Sequence, residues 1–364
     1  MRLSEEKRLD WLRLIRTDNI GPRTFRDLVN HYGGARAALG ALPALARRGG
    51  ASAPARICSH EEAQAELKAA RARGIDFVAL GEPDYPPRLQ MIDDAPPLLA
   101  VRGKLAVLTR PLVAIVGSRN ASAAGVKFAE RLARDLGAAG FGTVSGLARG
   151  IDAAAHRASL ATGTIAVLAG GHDRLYPAEH SDLLEAILAE GAAISEMPLA
   201  WEPRARLSPP QPADLGLVRR RGDRGGGAPL RLADHGAAGR RAGPRGVRGA
   251  RLPARSARRG HQRAAGATLV TEAADVIAVL EPILGRGFDL PAQEPAQDVP
   301  GPLDVEPGED ERARIIGLLG PTPVSLDDLV RLSQTSPAIV RTVLLELEIA
   351  GRLERHGGSL VSLL

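Results

Sequence analysis

The chain has one cysteine, Cys58, in 364 residues. No internal disulfide is possible, which fits a reduced, cytoplasmic setting. Aromatic residues make up 3% against 44% hydrophobic residues overall, so a sizeable core has to be built from aliphatic side chains and alanine. No run of 18 apolar residues occurs, which excludes a membrane-spanning helix. The start, M-R-L-S-E-E-K-R, is charged and no apolar signal region follows it. The dinucleotide fingerprint G-x-G-x-x-G is missing as well, because Val116-Gly117-Ser118-Arg119 lacks its second and third glycines. His172, Tyr176 and His180 have no metal-ligand spacing, so neither metal nor cofactor is expected.

The net charge of +6 has an uneven origin. Residues 207–265 hold 14 Arg, 3 Asp and neither Lys nor Glu, a balance of +11, which leaves −5 for the rest of the chain. The high isoelectric point therefore reports one unusual stretch and is no sign of nucleic-acid binding by the whole protein.

The organising region runs from Val113 to Glu196. Val113–Val116 is apolar and rich in β-branched residues, as a buried parallel strand is. A helix over about 125–139 follows, with Ala129, Leu132, Ala133 and Leu136 on one face. The pattern then repeats, with strands predicted at 142–145, 165–169 and 192–195 and helices at 151–160 and 183–189. This alternation predicts an α/β fold with a doubly wound, Rossmann-like parallel sheet. Gly117-Ser118-Arg119, the run from Ser145 through Gly146, Leu147, Ala148 and Arg149 to Gly150, and Gly170-Gly171 all follow strand ends. Such turns present backbone N–H groups and helix N-termini to an anion, and Arg119 adds a bidentate phosphate donor.

V-A-I-V-G-S-R (113–119), S-G-L-A-R-G-I-D-A-A-A-H (145–156) and I-S-E-M-P-L (194–199) resemble the core of the DNA-processing protein A (DprA/Smf) family. The resemblance implies a protein that binds and protects single-stranded DNA and loads the RecA recombinase in natural transformation, acts as a homodimer, and has no catalytic role. The implied DNA-phosphate contacts are Gly117, Ser118, Arg119, Ser145, Gly146, Leu147, Ala148, Gly150, His156, Gly170 and Gly171. Asp152 and His156 stand four apart and are able to meet on one helix face, yet no nucleophile elbow surrounds Ser145. A helix-start charge for Asp152 and a hydrogen bond or phosphate contact for His156 are favoured over hydrolase chemistry. The rival class is a nucleoside-monophosphate N-glycosidase. Enzymes of that class carry P-G-G-x-G-T-x-x-E, whereas A-G-G-H-D-R-L-Y (169–176) lacks the glutamate. A third alternative is a regulatory module that binds DNA through a winged helix.

Residues 1–60 read as a small helical domain. Its Ile20-Gly21-Pro22 turn is compatible with a helix-hairpin-helix and equally with simple packing. Residues 61–290 form the core, 291–310 a proline-rich acidic linker, and 311–364 a winged helix. Ser325 and either Thr335 or Ser336 are the expected helix caps there, and Gly351 the expected stop. The third helix of that unit offers Arg341 against Glu346 and Glu348, which suits packing or protein binding better than a DNA groove.

Residues 207–265 break every pattern, with no Ile, Phe, Tyr, Trp or Met. A permitted codon choice for Leu207–Val218, read one frame over, gives D-F-P-R-R-N-R-L-I-S-G-L, which contains the F-P-x-R-N-R element of the same family. Pro229–Gly239, Pro244–Pro253 and Gly260–Ala265 yield three further family blocks in the same frame. As written, the stretch is expected to carry no stable structure, and the sheet to end after the strand at Ile194 apart from what residues 269–277 add.

Overall fold

The structure is a computed structural model that describes residues 2–51, 55–202, 231–233, 246–249, 268–284, 307–356 and 359–364. The chain divides into two compact units. One comprises Glu66–Ala292 with the first two residues, and the other Leu3–Ala65 with Gln293–Leu364.

The first unit is built on one mixed sheet. Its strands are β1 (Ile75–Ala79), β2 (Leu98–Gly103), β3 (Leu112–Val116), β4 (Gly142–Ser145), β5 (Thr164–Val167), β6 (Ala192–Ser195), β7 (Arg231–Ala233), β8 (Gly246–Gly249) and β9 (Thr268–Val270), and they lie in the order β1-β2-β6-β5-β4-β3-β7-β8-β9. The four from β3 to β6 are mutually parallel, as the alternating sequence predicts. The pairs β1–β2, β2–β6, β3–β7 and β7–β8 are antiparallel, so the sheet is mixed at both flanks. The strand order reverses at β3, which puts the turn after β3 at the kind of crevice where open α/β sheets bind ligands.

Helices α5 (Ala123–Ala138), α6 (Ile151–Ser159) and α7 (Ser181–Glu190) are the crossovers between β3 and β6. Ala129, Leu132, Ala133 and Leu136 of α5 pack with Val113, Ile115, Phe141 and Ile151, the helix face expected from their spacing. Val270, Ala273, Val276 and Leu280, from β9 and α8 (Ala273–Leu284), complete that cluster. A second cluster joins Ala114, Val144, Ile165, Val167 and Ile194 to Tyr85, Leu89, Val107 and Leu108.

The two strands at 231–233 and 246–249 correct one expectation. Residues 207–265 were expected to hold no paired strand, yet β7 pairs with β3 and β8 bridges β7 to β9. Strand pairing uses backbone N–H and C=O groups, and a free sheet edge accepts any extended segment without demanding apolar side chains. The side chains of these strands and the remainder of 207–265 lie outside the described residues, as does most of the linker expected at 291–310.

The second unit brings the two ends of the chain together. The helices α1 (Glu5–Ile15), α2 (Pro22–Tyr32) and α3 (Ala35–Arg48) pack around Leu12, Leu14, Phe25, Leu28, Leu42 and Leu45, and α4 (His60–Ala72) leads into the sheet unit. Cys58 is buried. The C-terminal part is a winged helix: α9 (Glu309–Gly317), β10 (Val324–Ser325), α10 (Leu326–Ser333), α11 (Pro337–Ile349), β11 (Leu353–His356) and β12 (Leu360–Leu363). Ser325 caps α10, and of the two candidates Ser336 caps α11. Gly351, at φ +69°, takes the left-handed position after α11. The α11 carboxyl half is docked on α3. Glu346 is 1% exposed and receives Arg48 from α3 at 3.1 Å and Arg312 from α9 at 3.0 Å. Asn19 donates to the Ile349 carbonyl at 3.2 Å, and Arg352 to the Gly49 carbonyl at 3.1 Å.

Candidate nucleic-acid interface

The turns after β3 and β4 form one crest. Gly150, just before α6, has φ +75° and ψ −120°, a conformation that disfavours any side chain. A Cβ there would stand 2.7 Å from the Arg119 carbonyl oxygen and closer still to that of Ser118. The Ile151 N–H donates to the Ser118 carbonyl at 3.3 Å. At Gly117, a Cβ would meet Ile151 Cγ1 at 2.7 Å. The two glycines thus let the β3 turn lie directly on the start of α6, which is why those positions lack side chains.

Asp152 fastens the crest from beneath. It is 5% exposed, and its carboxylate accepts from the Gly146 N–H at 3.2 Å and, more weakly, from the Gly117 N–H at 3.4 Å. Burial raises its carboxyl to about 6, against the lowering effect of backbone N–H groups of Gly117, Ala148 and Gly146. The Gly117 and Gly146 amides, expected to hold phosphate, are therefore occupied by the protein's own carboxylate. Their glycine-rich spacing was legible in the sequence. Their internal partner, 35 residues beyond Gly117, was not.

Four further site residues are also drawn inward. Ser145 is fully buried and donates its hydroxyl to the Ile115 carbonyl at 2.6 Å, so its side chain meets no external ligand. His156 is fully buried, with Nδ1 2.8 Å from Thr164 Oγ1. That hydroxyl donates to the Thr143 carbonyl, so Nδ1 carries the proton and Nε2 is left with no hydrogen-bond partner. Burial lowers the imidazole to about 3, which keeps it neutral. His156 is accordingly a buried residue that takes the hydrogen-bonding role, the first of the two expected of it. It also makes no pair with Asp152: the imidazole bonds Thr164, while the carboxylate accepts from Gly117 and Gly146. Gly171 donates its N–H to the Trp201 carbonyl at 3.0 Å, and the carbonyls of Pro198 and Leu199 fill the place of its missing Cβ. Its neighbour's carbonyl, Gly170 O, accepts from Ser195 Oγ at 2.8 Å. This pair of glycines serves backbone packing, a close approach that spacing alone does not distinguish from ligand approach.

What remains outward is narrower. Arg119 is exposed and has no ion-pair partner among the described residues. Ser118 is half-buried beside it, with Oγ accepting from the Asn120 N–H at 3.2 Å. Leu147 is buried in the left-handed region at φ +57°, and its carbonyl bonds His180 Nδ1 at 2.8 Å. Arg149, also on this side, is held by Glu179 through a two-pronged ion pair of 2.6 and 2.5 Å. Among the described residues no cluster of His, Cys, Asp and Glu is arranged to hold a metal ion. No helix among them is long and apolar enough to cross a membrane.

Comparison with known proteins places all three parts of the chain. A family model described as DNA recombination-mediator protein A matches residues 76–209. A DprA-like N-terminal HHH domain matches 5–69, and a DprA winged helix domain matches 293–359. The Smf protein of Synechocystis sp. is 40% identical over 133 residues, covering 35% of this chain and 33% of the relative. A putative DNA processing protein DprA of Mycobacterium tuberculosis is 36% identical over 258 residues, 67% of this chain and 62% of the relative. The X-ray structure of DprA from Streptococcus pneumoniae aligns at 29% identity with a TM-score of 0.43, over 56% of this chain and 71% of that one. The chain spans between a third and two thirds of the length of the curated relatives named.

Proposed function

We propose, from the premise that this chain belongs to the DprA/Smf family, that it binds single-stranded DNA along the crest formed by the β3 and β4 turns and acts in DNA processing during transformation. The observation that carries the reading is Arg119. It is an exposed guanidinium with no ion-pair partner among the described residues, on a turn pinned to the start of α6, at the point where the strand order reverses. A guanidinium carried on a pinned turn suits a phosphate diester, and contacts of that kind position a strand without reading its bases, so sequence preference is weak. Ser118 supplies a neighbouring hydroxyl, and Leu147, Ala148 and Gly150 shape the same crest. Protection of the strand, delivery to the RecA recombinase, a homodimeric assembly and a cytoplasmic location belong to this reading through the family. So does the absence of a catalytic step. The N-glycosidase alternative is disfavoured by the missing glutamate after Gly171 and by the occupation of the loop amides by Asp152.

The test is a salt titration of single-stranded DNA binding by the full chain and by Arg119→Ala. A charge-assisted hydrogen bond lost from the interface weakens binding by about 1.5–3 kcal/mol and flattens the salt dependence. Unchanged affinity together with unchanged salt slope defeats the assignment.

A further inference from the structure

Asp152 is an anion standing where an anion site would otherwise be. Backbone N–H groups of Gly117, Gly146 and Ala148, from turns after two adjacent strands, converge on its carboxylate. It lies in the first turn of α6, whose N-terminus adds partial positive charge. Converging amides at such a helix start are the common cradle for a phosphate oxygen. Here the cradle is filled, because Asp152 is 5% exposed and its own carboxylate takes the Gly146 and Gly117 N–H groups. Arg119 remains outside it, exposed.

We propose that Asp152 is a specificity-determining plug, which keeps the phosphate of a free nucleotide out of the amide cradle and leaves the crest open only to a nucleic-acid backbone lying across Arg119. A mononucleotide offers one phosphate and depends on converging donors to hold it. A strand offers a row of phosphates and gains by summing separate weak contacts along a rim. The filled cradle therefore discriminates by ligand class before any base is read. The plug itself rests on hydrogen bonds and burial. Only the statement about the polymer rests on the single-stranded DNA reading above.

The experiment follows the Gly117 and Gly146 amide resonances of the labelled full chain during titration with inorganic phosphate and, separately, with adenosine monophosphate at pH 7.5. In the wild type neither resonance is expected to move saturably. Asp152→Ala empties the cradle and is expected to bind phosphate at least tenfold more tightly than the wild type, with both amides shifting. Asp152→Asn, which removes the charge and keeps the size, is expected to respond between the two. Thermal melts establish which variants are folded. Saturable shifts in the wild type overturn the proposal, and so does a folded Asp152→Ala or Asp152→Asn chain that gains no phosphate binding. Should neither variant fold, Asp152 serves the fold alone and the proposal is overturned. If the phosphate results come out as expected while Arg119→Ala still binds single-stranded DNA normally, the plug stands and the strand-binding reading falls.

Discussion

Gly150 and Arg119 touch through backbone alone: a Cβ on Gly150 would lie 2.7 Å from the Arg119 carbonyl oxygen. No side-chain rotation relieves that contact, and φ at Gly150 is +75°. Gly150→Ala therefore strains its own backbone and pushes the β3 turn away from α6. A destabilisation of about 1–3 kcal/mol is expected from the backbone conformation alone, with a further loss from the displaced turn. Urea unfolding measures the first effect, and single-stranded DNA affinity of the folded fraction measures the second. Gly140 has φ +92° but open space around it, so Gly140→Ala is the control that carries strain without the clash. Equal effects of the two substitutions on DNA affinity contradict the role given to the contact.

The buried carboxyl of Asp152 makes a distinct pH prediction. Its folded value, about 6, lies above the ordinary 3.8, so folding favours the protonated form. The associated stability is fully present below pH 3.8 and is lost as pH rises through 6, an amount of up to about 3 kcal/mol at 1.36 kcal/mol per pH unit. His156 acts in the opposite sense. Its folded value of about 3 lies below the ordinary 6.5, so its contribution is present above 6.5 and is lost as pH falls toward 3. The two oppose each other between about pH 4 and 6, and the wild-type curve alone does not separate them. The difference between wild type and Asp152→Asn does: relative to the variant, the wild type gains stability as pH falls from 7 to 4. A difference that stays flat over this range removes the buried-carboxylate account.

Glu346 ties the third helix of the winged helix to α3. Removing it leaves Arg48 and Arg312 without the carboxylate they share at 3.1 and 3.0 Å. Gly49 packs so closely that a Cβ there would lie 2.8 Å from the Ala350 Cβ, so the site has little room to rearrange. Glu346→Ala is expected to cost about 3–5 kcal/mol, the range for breaking a buried ion pair on one side. The Arg48–Glu346 double-mutant cycle checks that the loss is shared between the two ends of the chain. Additive single effects show that α3 and α11 are not coupled through this pair. Arg341 is exposed near the amino end of α11 and donates to the Pro337 carbonyl, so Arg341→Ala is expected to leave both stability and DNA binding near wild type.

The alternation of strand and helix across Val113–Glu196 was legible because each element carries its own periodicity. The starts of α5 and α6 fell within two residues of the expected positions. The shared crest was legible too, since strand ends in a parallel sheet gather on one side. The direction of the amides was not. Gly117, Gly146 and Gly171 look alike in sequence, yet two face Asp152 and one faces Trp201, and all three partners are set by the tertiary path. Of the two roles expected for His156, a hydrogen bond or a phosphate contact, the hydrogen bond to Thr164 is the one present. A histidine on an alanine-rich helix reads as available, and only the packing of Thr164 beneath it makes it a core residue. The docking of α11 on α3 joins segments about 300 residues apart, which no local pattern encodes.

The last prediction concerns residues 207–265. The match to the DNA recombination-mediator family model ends at 209, two residues after the composition breaks at Leu207. Beyond alanine, the stretch offers six Leu and two Val as apolar side chains among 59 residues, with 11 Gly and 6 Pro. Backbone pairing gives β7 and β8 their places in the sheet. Ordering the chain costs roughly 1–2 kcal/mol per residue, and eight larger aliphatic groups return only a fraction of that on burial. The same codons read one frame over supply F-P-R-R-N-R, S-L-I-T-A and V-F-A-V-P, with the bulky apolar residues that a sheet of this size needs. Resequencing codons 204–268 is expected to find a base gained and a base lost at the two ends of the segment. The frame-corrected protein is expected to melt at a higher temperature and to bind single-stranded DNA more tightly, because the F-P-R-R-N-R element adds three arginines in the manner of its family. A confirmed reading frame removes the first expectation. Equal melting temperatures of the two forms remove the second, because a restored apolar half-sheet cannot leave stability unchanged.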